Sequence, residues 1–220
     1  MKSIQKFFAH HAYRPLLERY LARERMYRYG NLRIKVLPGV FHPGFFFSTH
    51  FLLQHLLRFN LQKKTVLEPG AGSGLISFTA EQNGAVVTAT DLANKAIENL
   101  RLNKAILDSG ITILHSNLFE SIPVTTFDYI VINPPYYPKE PGSDAGLAWY
   151  CGSGFEYFEK LFKGLSLFVT PETKTLMVLS EDCDLQRIRG IASANNFSME
   201  EVSRKKFWWE WNYIYEITLS

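Results

Sequence analysis

From residue 64 onward the chain alternates short apolar runs with helix-length amphipathic segments, and that rhythm leaves few architectures open. Thr65-Val66-Leu67 reads as a short buried strand, followed by a glycine-rich turn and a helix through about Gln82. Ala85–Thr90 is the next strand, and Asp91 follows it. Residues 93–108 carry Ala96, Ile97, Leu100, Ile106 and Leu107 at helical spacing. Ile111–Leu114 is a third strand and Tyr129–Ile132 a fourth, apolar throughout as a strand covered on both faces should be. Residues 154–168 predict a helix, Thr175–Leu179 a strand and 184–195 a helix. Strands near 197–203 and 211–219 close the chain with no helix between them, which implies an antiparallel edge hairpin. The expectation is an α/β fold with a doubly wound, mostly parallel sheet and no internal repeats.

The upstream part differs. Residues 3–28 place Phe7, Phe8, Leu16, Leu17, Tyr20, Leu21 and Tyr27 mostly at helical spacings, with Arg between them. Leu32–Leu37 alternates weakly like a short strand, and Pro38-Gly39 and Pro43-Gly44 frame a loop. Residues 48–60 read as a helix with Ser48 or Thr49 as N-cap. The domain reading is a basic N-terminal extension over 1–40 and one domain over 41–220.

Charge separates the same parts. Residues 1–37 carry nine basic and two acidic side chains, a net +7, and the remainder sums to −4. Such an arm suits an anionic partner, RNA first. A helix with a solvated Arg face is the plainer reading, and the overall charge of only +3 favours it slightly. With 46% apolar and 20% charged residues, disorder and low complexity are excluded as global descriptions. No apolar run reaches the length of a membrane span, and Met1–Lys6 leads into no apolar signal segment. Cys151 and Cys183 form no CxxC pair and no metal-ligand cluster, so a reduced, cytoplasmic setting without a metal is expected.

Two segments carry chemistry. In Glu68-Pro69-Gly70-Ala71-Gly72-Ser73-Gly74, a strand feeds a loop with glycine at every second position, and a helix follows. Glycines there permit positive φ and let a ligand approach the backbone. The G-x-G-x-x-G fingerprint is not met, because the sixth position from Gly70 is Leu75. Glu68 would repel a diphosphate but can pair with a cationic amino-acid group. S-adenosylmethionine carries an ammonium, a sulfonium and no phosphate. Asp91, ending the second strand, can take two ribose hydroxyls.

The second segment, Asn133-Pro134-Pro135-Tyr136, ends the fourth strand and falls in the same crevice beyond the strand ends. The Asn133 side-chain carbonyl and the Pro134 backbone carbonyl can both accept from one –NH2 group, and Tyr136 offers a flat face for a planar amide or base. That arrangement suits methylation of a conjugated nitrogen, whose delocalised lone pair two acceptors help localise. It needs no nucleophilic side chain.

In these residues the chain resembles the class I S-adenosylmethionine-dependent methyltransferases, in the branch with an Asn-Pro-Pro-Tyr motif, over about residues 41–220. The resemblance implies a Rossmann-like seven-stranded sheet with an antiparallel terminal strand. It implies that Glu68, Gly70, Gly72 and Gly74 hold the methionine part of the cofactor, Asp91 with Leu92 the ribose, and Asn117 with Leu118 the adenine. Ser48-Thr49 stands where relatives often have Asp-Thr, which brings Thr49 to the cofactor's border. Asn133, Pro134, Pro135 and Tyr136 would be catalytic, with Asn133 also near the cofactor. The branch methylates RNA bases, DNA adenine and protein glutamine, so an RNA or protein substrate is expected, with no membrane partner. A nicotinamide oxidoreductase and a non-catalytic RNA-binding protein on the same fold are the rivals. Phe45-Phe46-Phe47 and Trp208-Trp209 with Trp211 could stack on bases, with at least half of them expected in the core. Arg204-Lys205-Lys206 reads as an exposed hairpin turn.

Overall fold

The computed structural model describes residues 21–45, 47–207 and 209–220. β1 (Arg25–Tyr29) and β2 (Leu32–Val36) form an antiparallel hairpin around Gly30-Asn31. The helix expected over 3–28 falls largely on residues 1–20, outside the described residues. Over 25–28 that expectation is corrected to strand, and the reason is a period of two. Arg25, Tyr27 and Tyr29 are half-buried, Met26 and Arg28 are exposed, and β2 opposite buries Leu32, Ile34 and Val36.

α1 (Phe47–Leu56) leads to β3 (Thr65–Pro69), α2 (Leu75–Gln82), β4 (Val86–Asp91) and α3 (Asn94–Leu107). Then come β5 (Thr112–His115), β6 (Tyr129–Ile132), α4 (Glu156–Leu165), β7 (Lys174–Ser180) and α5 (Leu185–Ala194). β8 (Phe197–Phe207) and β9 (Glu210–Leu219) finish the chain. β3 to β9 make one seven-stranded sheet in the order β5-β4-β3-β6-β7-β9-β8. Strands β3 to β7 pair in parallel, and β9 runs antiparallel to both β7 and β8. The expected architecture and terminal hairpin are both present. Several boundaries move; the helix expected over 48–60 ends at Leu56 and that over 154–168 runs Glu156–Leu165, and two other shifts matter more. β8 reaches Phe207, so Arg204, Lys205 and Lys206 lie on a strand and not in a turn. α1 begins at Phe47, so Ser48 and Thr49 sit inside its first turn and do not cap it.

The strand order reverses between β3 and β6, and there the crossovers leave to opposite sides and open a crevice. Asp128 pins the start of these two strands together. Its Oδ2 accepts the Thr65 N–H at 2.8 Å and the Thr65 hydroxyl at 2.9 Å, and its Oδ1 takes Lys64 Nζ at 2.8 Å. The Lys64 ammonium beside it lowers the Asp128 carboxyl to about 2. Helices cover both faces of the sheet. α1, α2 and α3 bury Leu52, Leu53, Ile76 and Leu100 on one side with Leu32 and Ile34 of the hairpin. On the other, Phe158, Leu161, Phe162 and Leu165 of α4 recur at helical spacing against Met177 and Leu179.

The hairpin is joined to α3 by two buried asparagines. Asn103 Oδ1 accepts the Lys35 N–H at 2.7 Å, its Nδ2 donates to Lys35 O at 2.8 Å, and Asn99 Oδ1 accepts the Leu37 N–H at 2.9 Å. No helix among the described residues is long and apolar enough to cross a membrane.

Gly74, preceding α2, takes φ +79°, and a Cβ there would stand 2.5 Å from Phe78 and 2.7 Å from Leu100. Strain and overpacking act together at that position. Gly74→Ala is expected to cost about 2–4 kcal/mol of stability in urea unfolding. An unchanged midpoint would show that the α2–α3 packing yields.

Candidate active site

The crevice above β3, β4 and β6 is a cleft of about 370 Å³. Its floor is the glycine loop. Gly70, Gly72 and Gly74 all take positive φ, at +75°, +54° and +79°. The N–H groups of Gly70 and Ala71 both donate to Thr90 O at 2.8 Å, which lashes the loop to the end of β4. A Cβ on Gly70 would meet nothing within 4 Å, so a side chain there would stand in the open cleft. Of the three glycines, Gly70 and Gly72 line the cleft and Gly74 does not; its place is in the packing under α2.

Two carboxylates face this loop. Asp91 Oδ2 accepts the Gly72 N–H at 2.8 Å, and its Oδ1 accepts the Ala93 N–H at 2.9 Å. Burial raises the Asp91 carboxyl, and these N–H donors pull it back down. Each oxygen keeps a further lone pair for a ligand hydroxyl. Glu68, 5% exposed, accepts the Ser77 N–H at 2.8 Å and the Ser77 hydroxyl on Oε2. Burial pushes its carboxyl up to about 8 against those two bonds.

Across the cleft, Asn133 Nδ2 donates to Thr49 Oγ1 at 3.0 Å. That bond links β6 to α1 and fixes which way the amide faces, leaving Oδ1 as the acceptor. Pro134 is buried, and Asn133, Pro135 and Tyr136 are half-buried along the same wall. Burial pushes the Tyr136 hydroxyl far above the ordinary phenol range, so it stays neutral. Leu92, Asn117 and Leu118 line the far end, and Leu118 takes φ +55°.

A strap over 137–152 roofs the cleft. Tyr137 N–H bonds Trp149 O at 3.0 Å, and Cys151 N–H bonds Tyr137 O at 3.0 Å. Asp144 Oδ2 accepts the Asn94 N–H at 3.2 Å, tying the strap to the start of α3. Cys151 is buried, its Sγ lies 3.4 Å from Tyr137 O, and burial pushes its thiol up to about 11, which fits a packing role.

A family model described as the methyltransferase small domain matches residues 31–147, more than half of the chain. The chain belongs to that methyltransferase family. The tRNA1(Val) (adenine(37)-N6)-methyltransferase of Shewanella loihica is 30% identical over 128 residues, 54% of this chain and 53% of that protein. The release factor glutamine methyltransferase of Bacteroides thetaiotaomicron is 33% identical over 106 residues, 46% of this chain and 37% of that protein. A T. thermophilus 16S rRNA methyltransferase solved with AdoMet and guanosine shares the fold, with a TM-score of 0.64 at 19% identity, covering 90% of this chain and 50% of that one. The chain spans 15% to 53% of the length of the curated relatives it matches.

In this methyltransferase-family chain the structure gathers Thr49, Glu68, Gly70, Gly72, Asp91, Leu92, Asn117, Leu118 and Asn133 through Tyr136 around one cleft. Sequence reasoning missed Tyr157 and Trp149, which line it too, as does Phe41 at the start of the segment running to Thr49. Trp149 and Phe41 pack ring to ring at 5.3 Å across its mouth. The Tyr157 hydroxyl is raised first by burial and then by Asp91, which marks the two as neighbours. The signal available for Tyr157 was its place in the first turn of a helix entered from the cleft side.

Glu68 has a pH consequence. Its folded carboxyl titrates near 8 and an ordinary one at 4.5, so the folded state holds its proton more tightly. Stability of the ligand-free protein should therefore fall as pH rises through that window. Glu68→Gln should flatten the fall, being more stable than wild type at the alkaline end and little changed at the acid end. Urea midpoints across pH check this, and parallel curves would contradict it.

Proposed function

We propose that this chain is an S-adenosylmethionine-dependent N-methyltransferase acting on an amide or exocyclic amino nitrogen of RNA or of a protein glutamine. The observation that carries the reading is the Thr49–Asn133 bond, which turns the Asn133 carbonyl into a fixed acceptor at the cleft. Two free, buried cysteines and the lack of a membrane-crossing helix among the described residues support a cytoplasmic setting.

The residues fit the cofactor. Gly70 leaves open the space a side chain would fill, and Asp91, held by the Gly72 N–H, offers its carboxylate to a ribose. Leu92 and Leu118 give an apolar slot for a base, with Asn117 beside it. Glu68 sets a carboxyl behind the loop that burial keeps protonated near neutral pH and that a cation brought beside it would ionise. That favours an ammonium and disfavours the diphosphate of a nicotinamide cofactor. When bound, S-adenosylmethionine supplies an electrophilic methyl group on a sulfonium.

The remaining work falls to this chain. Asn133 Oδ1 and the Pro134 carbonyl accept the two N–H bonds of the incoming nitrogen, which draws its lone pair out of conjugation. Neither amide oxygen is basic enough to keep a proton, so the two acceptors orient and polarise the N–H bonds, and the proton lost as the new bond to carbon forms passes to water. Pro134 and Pro135 hold the loop rigid, so this geometry costs little to set at the moment of reaction. Tyr136 stays neutral and presents its ring to the planar acceptor.

Asn133→Ala should lower methyl transfer about 100- to 1,000-fold while calorimetric affinity for S-adenosylmethionine is retained. Thr49→Val should lose about tenfold, because it frees the amide to rotate without removing it. Incorporation of labelled methyl into RNA and protein fractions of cell extract measures both. Full activity in Asn133→Ala would overturn the mechanism.

A further inference from the structure

A second cleft, of about 420 Å³, opens on the other side of Tyr136. Ser48 and Tyr136 line both clefts, so the two meet at the residues that end the Asn-Pro-Pro-Tyr loop and begin α1. Its walls come from elements that the reading above leaves unused: the loop before α1 and the β8–β9 hairpin. Phe45, Phe207 and Trp209 supply aromatic faces, and Glu210 and Asn212 supply polar edges.

Asn212 is the decisive residue. It is 5% exposed, and its side-chain amide takes no partner among the described residues. Its backbone is fixed on both sides, paired with Ser180 of β7 and Lys205 of β8. Two positions further, on the same face, Ile214 is fully buried in the core. The side chain is held by its backbone pairing and takes no internal partner among the described residues, and its amide opens on the cleft, where its donor and acceptor face a ligand. The register puts Lys205 opposite Asn212 and Phe207 opposite Glu210, so all four share the face toward α1. Lys205 Nζ stands 5.5 Å from the Phe47 ring and 5.1 Å from the Phe207 ring, at the rim. Arg204 and Lys206 add charge on the hairpin's other face, over Trp211.

We infer that this second cleft is the acceptor pocket and that it takes a nucleobase from a single-stranded nucleic acid. Asn212 reads the base edge, and Lys205 meets the neighbouring phosphate. The inference rests on the methyltransferase reading and narrows it. A nucleobase matches each feature: a planar edge with both donors and acceptors, faces for stacking, and an anion beside it. A glutamine side chain matches only the amide. It would leave most of a space as large as the proposed cofactor cleft unfilled, and it brings no anion for Lys205.

The test uses the full chain and short fluorescein-labelled single-stranded RNA and DNA of one mixed sequence, followed by anisotropy, with N-acetylglutaminamide as competitor. Asn212→Ala and Trp209→Ala should each weaken binding about tenfold. Lys205→Ala should reduce the salt slope by about one. Trp209 is 43% exposed, so its substitution keeps the test open if Asn212→Ala does not fold. Tighter binding of the RNA names RNA as the source of the base, and tighter binding of the DNA names DNA. Oligonucleotide binding that ignores both substitutions overturns the inference, as does displacement by N-acetylglutaminamide. Calorimetry with S-adenosylmethionine on the same variants keeps the two readings apart. Retained cofactor heat with indifferent oligonucleotide binding sinks only the acceptor assignment, and absent heat in wild type sinks the methyltransferase reading.

Discussion

One carboxylate organises the glycine-loop side of the cleft. Asp91 ends β4 and takes the N–H of Gly72 on one oxygen and that of Ala93 on the other. It thereby holds the loop after β3 against the start of α3. The Thr90 carbonyl, one residue back, receives two more N–H groups from the same loop. Without these bonds the loop's amides would be orphaned at the top of a buried sheet, and its positive-φ glycines would have nothing to fix their path. The crevice at the β3–β6 reversal exists in any doubly wound sheet, but its shape here comes from Asp91.

The opposite wall depends on a comparable bond made from different material. Thr49 belongs to α1, upstream of the sheet, and Asn133 to the end of β6, 84 residues later. Their contact sets the amide's orientation and joins the two elements between which both clefts open. Ser48 and Tyr136 then form the common wall. A group transferred between two ligands needs such a short passage and an acceptor fixed beside it, and no nucleophilic side chain need stand there. The roof over 137–152 is tied to the start of α3 through Asp144 and Asn94.

Much of this was legible in the residues because the physics was local. Alternating glycines after a strand, an acid at the next strand's end and a proline-fixed loop after the fourth strand need only short-range geometry to be recognised. Apolar Tyr129–Ile132 could only be a covered strand, and it is. What stayed hidden was tertiary. Tyr27 fits a helical stripe as well as a strand, and only pairing with Ile34 decides it. Gly74 looked like its two neighbours until Phe78 and Leu100 closed over it. Thr49 read as a cap because its partner lies on another element. Asn212 sits in a strand whose alternation marks it as a polar position, and nothing nearby in the chain says that it lines a second cleft. The boundary expected at residue 40 came from where the resemblance begins, with the charge asymmetry of residues 1–37 beside it. The Asn99 and Asn103 bonds that join the preceding hairpin to α3 carry no sequence pattern of their own.

The central claim is that the cleft built on Asp91 and the glycine loop receives S-adenosylmethionine and not a dinucleotide. Calorimetric titration of the full chain with S-adenosylmethionine, and separately with NAD, tests it most directly. The account expects saturable one-to-one binding of S-adenosylmethionine that Asp91→Ala weakens severely, and no heat with NAD. Binding of NAD without S-adenosylmethionine would contradict it.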